Sequence, residues 1–349
     1  MKKVLLGMSG GVDSSVSAVL LKNQGFDVVG ATMDLYKFDD DRTLKSISDC
    51  EKVCNKLGIE HYTFDFREQF KTCVIKKFIE EYTNCRTPNP CVECNKYLKF
   101  NLMWEKAQEL GIDFLATGHY AKVEYSEKYQ RYVIRKANNL AKDQSYVLYS
   151  IPLNLLSHII FPLGNFNSKE EIRKIALENN LEVANKKDSQ DICFIPDGDY
   201  KSFLEKNSDI AIEGENCNIV YNGKTIGKHT GMYKYTIGQR KGLGVSNENP
   251  LYVIGFNKEK NEVIVGEEKD LYIKNFKVKN YNLLLVDKID KPTIVNVKTR
   301  YKSLEHKATI IEDGEYINVE LETPQKGITP GQSAVFYIDD IVLGGGIIK

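Results

Sequence analysis

The sequence predicts an α/β protein: a doubly wound parallel sheet, then a small β-rich central domain, then a C-terminal β-barrel. Three observations predict it. From residue 1 to about 195, short apolar or β-branched runs alternate with helical stretches, as in a parallel sheet covered on both faces. Beyond residue 206 helical periodicity gives way to strand-like runs between glycine turns, such as Glu262 to Gly266 and Ser333 to Tyr337. The 349 residues also exceed one average domain. The expected divisions are 1–197, 198–270 and 271–349.

The first element is the apolar run Val4 to Met8, a buried strand. It enters Ser9-Gly10-Gly11-Val12-Asp13-Ser14-Ser15, and a helix follows, with Val16, Val19, Leu20 and Leu21 at helical spacing and Gly25 as its stop. Such a turn suits phosphate. Glycines let the backbone approach an anion, serines add hydroxyl donors, and the N–H groups and dipole of the helix start favour negative charge. The pattern is neither a Walker A loop nor a dinucleotide fingerprint. It resembles the PP-loop of ATP pyrophosphatases, which cleave ATP to AMP and pyrophosphate to adenylate a substrate oxygen.

Val28 to Met33 reads as the second strand, His61 to Asp65 as the third and Phe114 to Gly118 as the fourth; Asp49 to Leu57 and Asn101 to Leu110 suit helices. Ligands of such sheets sit at the carboxyl ends of the strands, which groups the loop, Met33 and Gly118-His119 around one crevice. Trp104 reads as a core residue of its helix, and Asp39-Asp40-Asp41 as a solvated loop.

Forty-eight basic residues balance forty-eight acidic ones, so any polyanion-binding surface must be local. One local candidate is plain. Residues 216–247 contain no Asp or Glu, while Lys224, Lys228, Lys234, Arg240 and Lys241 are interspersed with six glycines, Tyr233 and Tyr235. A second is Lys298 to Lys302. No apolar run approaches the ~20 residues of a membrane helix, and Asp13 interrupts any signal-peptide core, so a cytoplasmic protein is expected.

That setting makes the eight cysteines thiols, metal ligands or catalytic groups rather than structural disulfides. Cys91 and Cys94 form a Cys-x-x-Cys in a proline-stiffened loop, and Cys193 ends an apolar segment. A zinc site needs a fourth ligand, which Cys85 could supply by reach. Cys50, Cys54, Cys73 and Cys217 read as small hydrophobes.

Further motifs follow in order: CNKYLKF from Cys94, ATGHYAKV from Ala116, KDQSYVLY from Lys142, DSQDICFIPDGDY from Asp188 and GKHTGMYKYTIGQRKGLG from Gly227. With the first loop they make the whole chain closely resemble the bacterial tRNA-specific 2-thiouridylases. The resemblance implies ATP binding by Gly7, Met8, Ser9, Gly10, Gly11, Val12, Asp13, Ser14, Met33 and Gly118, with Mg²⁺ as the companion ion and Asp13 as its candidate partner. It implies Cys94 and Cys193 as catalytic cysteines and Asn89, Pro90 and Cys91 as target-base contacts. It further implies tRNA contacts by His119, Lys142, Asp143, Gln144, Arg300, Tyr301 and Gln332, in addition to the basic Lys234, Arg240 and Lys241. The implied partners are Lys, Glu and Gln tRNAs and a cysteine desulfurase or sulfur-relay protein.

One departure stands out. Some relatives carry Asp, a candidate general base, where this chain has Cys91, so the base is unassigned here. The change leaves Cys91, Cys94 and Cys193 as candidate ligands of a [4Fe-4S] cluster with one open iron, beside a persulfide route that needs only Cys94 and Cys193. The competing readings are a PP-loop synthetase acting on a small acceptor, which has no use for the two cysteines, and a non-catalytic RNA-binding or iron–sulfur scaffold protein, which has none for Ser9 to Ser15.

Overall fold

The computed structural model describes residues 1–38, 40, 42–186, 192–208 and 217–349. Asp39, Asp41 and the first four residues, 188–191, of the motif DSQDICFIPDGDY therefore lie outside the described residues.

In the first part of the chain, β1 (Lys3–Gly7), β2 (Asp27–Asp34), β3 (Glu60–Asp65) and β4 (Phe114–Thr117) run parallel. An antiparallel hairpin of β5 (Ala121–Ser126) and β6 (Arg131–Lys136) comes next, then β7 (Ile159–Ile160). The parallel sheet has the order β3-β2-β1-β4-β7. Val4, Leu5 and Leu6 are wholly buried because helices cover both faces of β1. Those helices are α1 (Val12–Asn23), α2 (Arg42–Leu57), α3 (67–83), α4 (90–109) and α5 (Lys169–Glu178). Two of them contain π-wound stretches, Lys71–Ile75 in α3 and Asn95–Leu102 in α4. From β1 the chain moves outward through β2 and β3, then returns to place β4 on the other side of β1. The switch point thus lies where Gly7 and Thr117 stand in register, at the carboxyl ends of both strands.

The next unit holds α6 (Tyr200–Asn207), β8 (Asn218–Tyr221), β9 (Lys224–Lys228), β10 (Tyr252–Asn257) and β11 (Glu262–Gly266). Its sheet, β10-β11-β8-β9, closes over Ile219, Val253, Val263 and Val265. The last unit is β12 (Tyr272–Leu283), β13 (Thr293–Lys298), β14 (His306–Asp313), β15 (Tyr316–Lys326), β16 (Ser333–Ile338) and β17 (Ile341–Ile348). These run β12-β15-β14-β13-β16-β17, and β12 pairs back onto β17 through Val278 and Ile348, so the barrel has no free edge.

The β5–β6 hairpin departs from the expected parallel alternation. It leaves the first sheet and joins the barrel, where Arg135 of β6 pairs with Ile341 of β17. Val335, Tyr337 and Val342 of the barrel lie in the same apolar core as Leu5, Phe100 and Tyr146. The two units are therefore packed through a shared interior. Among the described residues no helix is long and apolar enough to cross a membrane.

Candidate functional site

The loop after β1 is shaped by its glycines and serines. Gly10 has φ +66°, and a Cβ there would lie 2.9 Å from the Ser46 carbonyl oxygen. Only glycine fits that conformation and space. Ser9 N–H donates to Ser14 Oγ at 3.2 Å, and Ser15 Oγ donates to the Gly11 carbonyl at 2.8 Å, which turns the chain into α1. Gly118 closes the other wall: a Cβ on it would stand 3.0 Å from Ser14 N and 3.1 Å from Asp13 C. The result is a helix start with little side-chain bulk before it, suited to an anion.

Asp13 does not fit the role of a vacant metal ligand. Lys169 Nζ, buried at the start of α5, donates to both of its oxygens at 2.8 Å, and the Tyr120 hydroxyl donates to Oδ1 at 2.6 Å. Lys186 similarly binds the Gly10 carbonyl and Asp49, at 2.8 and 2.9 Å. The spacing of residues gave no sign of either lysine, because both arrive from elements more than 150 residues beyond Gly10 and Asp13.

The thiols gather at the start of α4. Asn89 caps this helix by accepting the Cys91 N–H at 3.2 Å, and Pro90 takes the first helical position, where its missing N–H costs nothing. Cys94 is buried, whereas Cys91 and Cys193 reach solvent. Cys193 is held by its neighbour Phe194, whose ring packs 5.4 to 5.5 Å from Phe78 and Phe70. Burial pushes the Cys94 thiol up to about 11 and the Cys193 thiol up to about 12. Cys91 and Cys94 raise Cys193 further, which places the three thiols within electrostatic reach of one another. Lys99 opposes these shifts at all three cysteines. It follows Cys94 by five residues, and the wider π winding brings such positions nearly in line. Reading α4 with the ordinary 3.6-residue period hides this lysine.

All eight cysteines are thiols. Among the described residues no three Cys, His, Asp or Glu side chains are arranged to hold a single metal ion, so Cys91, Cys94 and Cys193 do not form a zinc site. Cys85 does not join them as a zinc ligand either; its Sγ lies 3.9 Å from Met232 Sδ. Trp104 is only half-buried and packs against His158.

Several residues linked to tRNA by resemblance have internal partners. His119 is buried, its Nδ1 is 2.7 Å from Thr117 Oγ1, and burial lowers its pKa well below the usual histidine range. Asp143 accepts from Ala137 N–H at 2.9 Å and Ser145 Oγ at 2.7 Å, while Gln144 Oε1 accepts the Tyr120 N–H at 2.9 Å. Gln332 Nε2 donates to the Thr87 carbonyl at 2.8 Å. Arg300 reaches Thr329 Oγ1 at 2.5 Å, and Tyr301, 37% exposed, is close enough to Cys91 for that thiol's charge to be felt. In the basic segment Arg240 and Lys241 are exposed, but Lys234 pairs with Glu205 of α6 at 2.8 Å. The acid-free stretch in sequence is thus partly neutralised from outside.

The family described as "tRNA methyl transferase HUP domain" matches residues 2–197, its "PRC-barrel domain" residues 201–267, and the "aminomethyltransferase beta-barrel domain" residues 273–348. The tRNA-specific 2-thiouridylase MnmA of Acetivibrio thermocellus is 45% identical, covering 100% of this chain and 99% of its own length. A similar enzyme of Caldanaerobacter subterraneus is 46% identical, covering 99% and 98%. That of Clostridioides difficile is 44% identical, covering 100% and 98%. Likeness of this order from end to end means that the chain belongs to the tRNA-specific 2-thiouridylase family.

Proposed function

We propose that the protein makes 2-thiouridine at the wobble position of tRNA, consuming ATP and releasing AMP and pyrophosphate. The reading is carried by one combination: a helix start after β1 that suits an anion and is walled by Gly118, in the same chain as the thiols Cys94 and Cys193, which lie within electrostatic reach of each other. The C2 oxygen of uridine is a poor leaving group. Bonding it to the α-phosphorus of ATP expels pyrophosphate and lets AMP depart later. Ser9 to Ser14 and the N–H groups of α1 receive the phosphates, and magnesium accompanies ATP on its own phosphate oxygens. No step is assigned to an ion held by Asp13.

Sulfur arrives as a persulfide on Cys193, loaded by a cysteine desulfurase or a relay protein. In one route the Cys94 thiolate attacks the Cys193 sulfur, forming the Cys94–Cys193 disulfide and releasing hydrosulfide, which displaces AMP at C2. A thiol reductant then restores both cysteines. In the alternative, the terminal persulfide sulfur displaces AMP at C2 directly, and the Cys94 thiolate then attacks Cys193 Sγ, breaking the S–S bond so that the sulfur stays on C2 and the Cys94–Cys193 disulfide forms. Resemblance supports the Lys, Glu and Gln tRNAs as substrates, with Asn89, Pro90 and Cys91 beside the target base and Arg300, Tyr301, Arg240 and Lys241 along the tRNA.

The test is ATP cleavage with and without tRNA and a sulfur source. Coupled formation of AMP and 2-thiouridine only when all are present is expected. Equal AMP formation without tRNA would instead favour a synthetase acting on a small acceptor.

A further inference from the structure

The turn that precedes α4 takes its hydrogen bonds from the barrel. Arg86 N–H still reaches back to Glu81 of α3, at 2.9 Å, but the next donor, Thr87 N–H, goes to the Pro330 carbonyl at 2.9 Å. The carbonyls of Thr87 and Pro88 both accept from Gln332 Nε2, at 2.8 and 3.4 Å. Two residues later Asn89 and Pro90 open the helix that carries Cys91 and Cys94. The backbones abut: Gly331 has φ +90°, and a Cβ there would lie 2.9 Å from both Arg86 Cβ and Thr87 N.

Gln332 is itself rigidly seated. Ile348 N–H donates to its carbonyl at 2.8 Å, and Gly331 N–H donates to the Ile348 carbonyl at 2.9 Å. The adjacent Ser333 grips α4 by a second path. Its carbonyl accepts the Tyr146 hydroxyl at 2.8 Å, and its Oγ lies 3.1 Å from the Tyr149 hydroxyl. In the same 145–151 segment, the Val147 carbonyl accepts Asn95 Nδ2 at 2.8 Å and Ser150 Oγ donates to the Val92 carbonyl at 3.3 Å.

We infer that Gln332 is a positioning residue, whose amide fixes the Thr87–Pro88 turn so that the barrel sets where the Cys91–Cys94 helix begins. The catalytic meaning of this rests on Cys94 acting in sulfur transfer. Both Nε2 hydrogens of Gln332 are used in this way, while its Oε1 can still accept from tRNA. Loss of Gln332 therefore acts on turnover through the turn, separately from any contact it makes with tRNA.

The experiment compares full-length wild type, Gln332→Ala and Gln332→Glu, which keeps the shape but lacks the donor. Amide hydrogen exchange of residues 84–91 is measured without tRNA, together with tRNA Kd and kcat for thiolation. Exchange at Thr87 should rise about tenfold, the scale of one lost hydrogen bond. The kcat, measured at saturating tRNA so that any change in Kd does not enter, should fall by a similar factor in both variants. If Gln332→Ala fails to fold, Gln332→Glu carries the comparison alone. Unchanged exchange overturns the inference whatever happens to Kd, and so does faster exchange with unchanged kcat. Absent thiolation by wild type would count against the sulfur-transfer reading, while exchange would still judge the clamp.

Discussion

At Cys193, two opposing influences meet at one thiol. Surrounding protein and the Cys94 and Cys91 thiols raise it, and Lys99 lowers it. An acid whose folded-state pKa is raised stays protonated at neutral pH and ionises only as pH climbs toward that value. Iodoacetamide labelling of Cys94 and Cys193 should accordingly rise about tenfold per pH unit from 7 to 10, with no plateau. Lys99→Met should slow labelling at pH 8 by about threefold to tenfold, and Lys99→Arg should not. The check is mass spectrometry of the two peptides across pH; identical profiles for wild type and Lys99→Met would remove Lys99 from the site. Cys94→Ser and Cys193→Ser should each abolish thiolation measured with sulfur-labelled substrate, whereas Cys50→Ser and Cys217→Ser should not. Full activity without the Cys193 thiol would discard the persulfide assignment.

Among the elements, the anion-binding turn depends on backbone approach. Gly118→Ala places a methyl 3.0 Å from Ser14 N, against backbone that cannot retreat. ATP affinity by calorimetry should weaken by about tenfold or more, with tRNA binding retained. Between β9 and β10, Arg240→Ala with Lys241→Ala should lower the log–log salt slope of tRNA binding by roughly 0.7–0.9 per lost phosphate contact. Lys234→Ala alone should move it less, because Glu205 already neutralises Lys234. An unchanged slope in the double variant would make this stretch a solvated turn. The strands β1 to β4 and the thiol motif were legible because each is local: a buried apolar run, a glycine turn, a capped Cys-x-x-Cys. The β5–β6 hairpin, Lys169 on Asp13 and Glu205 on Lys234 were not, since each depends on pairing distant segments. Lys99 escaped for a different reason, the π winding of α4.

On the scale of the whole molecule, the barrel is joined to the first unit by a common core and by the Gln332 turn, while Arg300 spans from Thr329 to the Ile237 carbonyl of the middle unit at 3.4 Å. Residues implied in tRNA binding thus lie on the seams that bring the units together around the thiols. The persulfide route we propose needs only Cys94 and Cys193. The direct measurement is nucleoside mass spectrometry of tRNA incubated with protein shown to be iron-free, ATP, cysteine and a cysteine desulfurase. The account predicts 2-thiouridine at the wobble position in amounts matching AMP and pyrophosphate; formation only after anaerobic cluster reconstitution, with none from the iron-free protein, would contradict it.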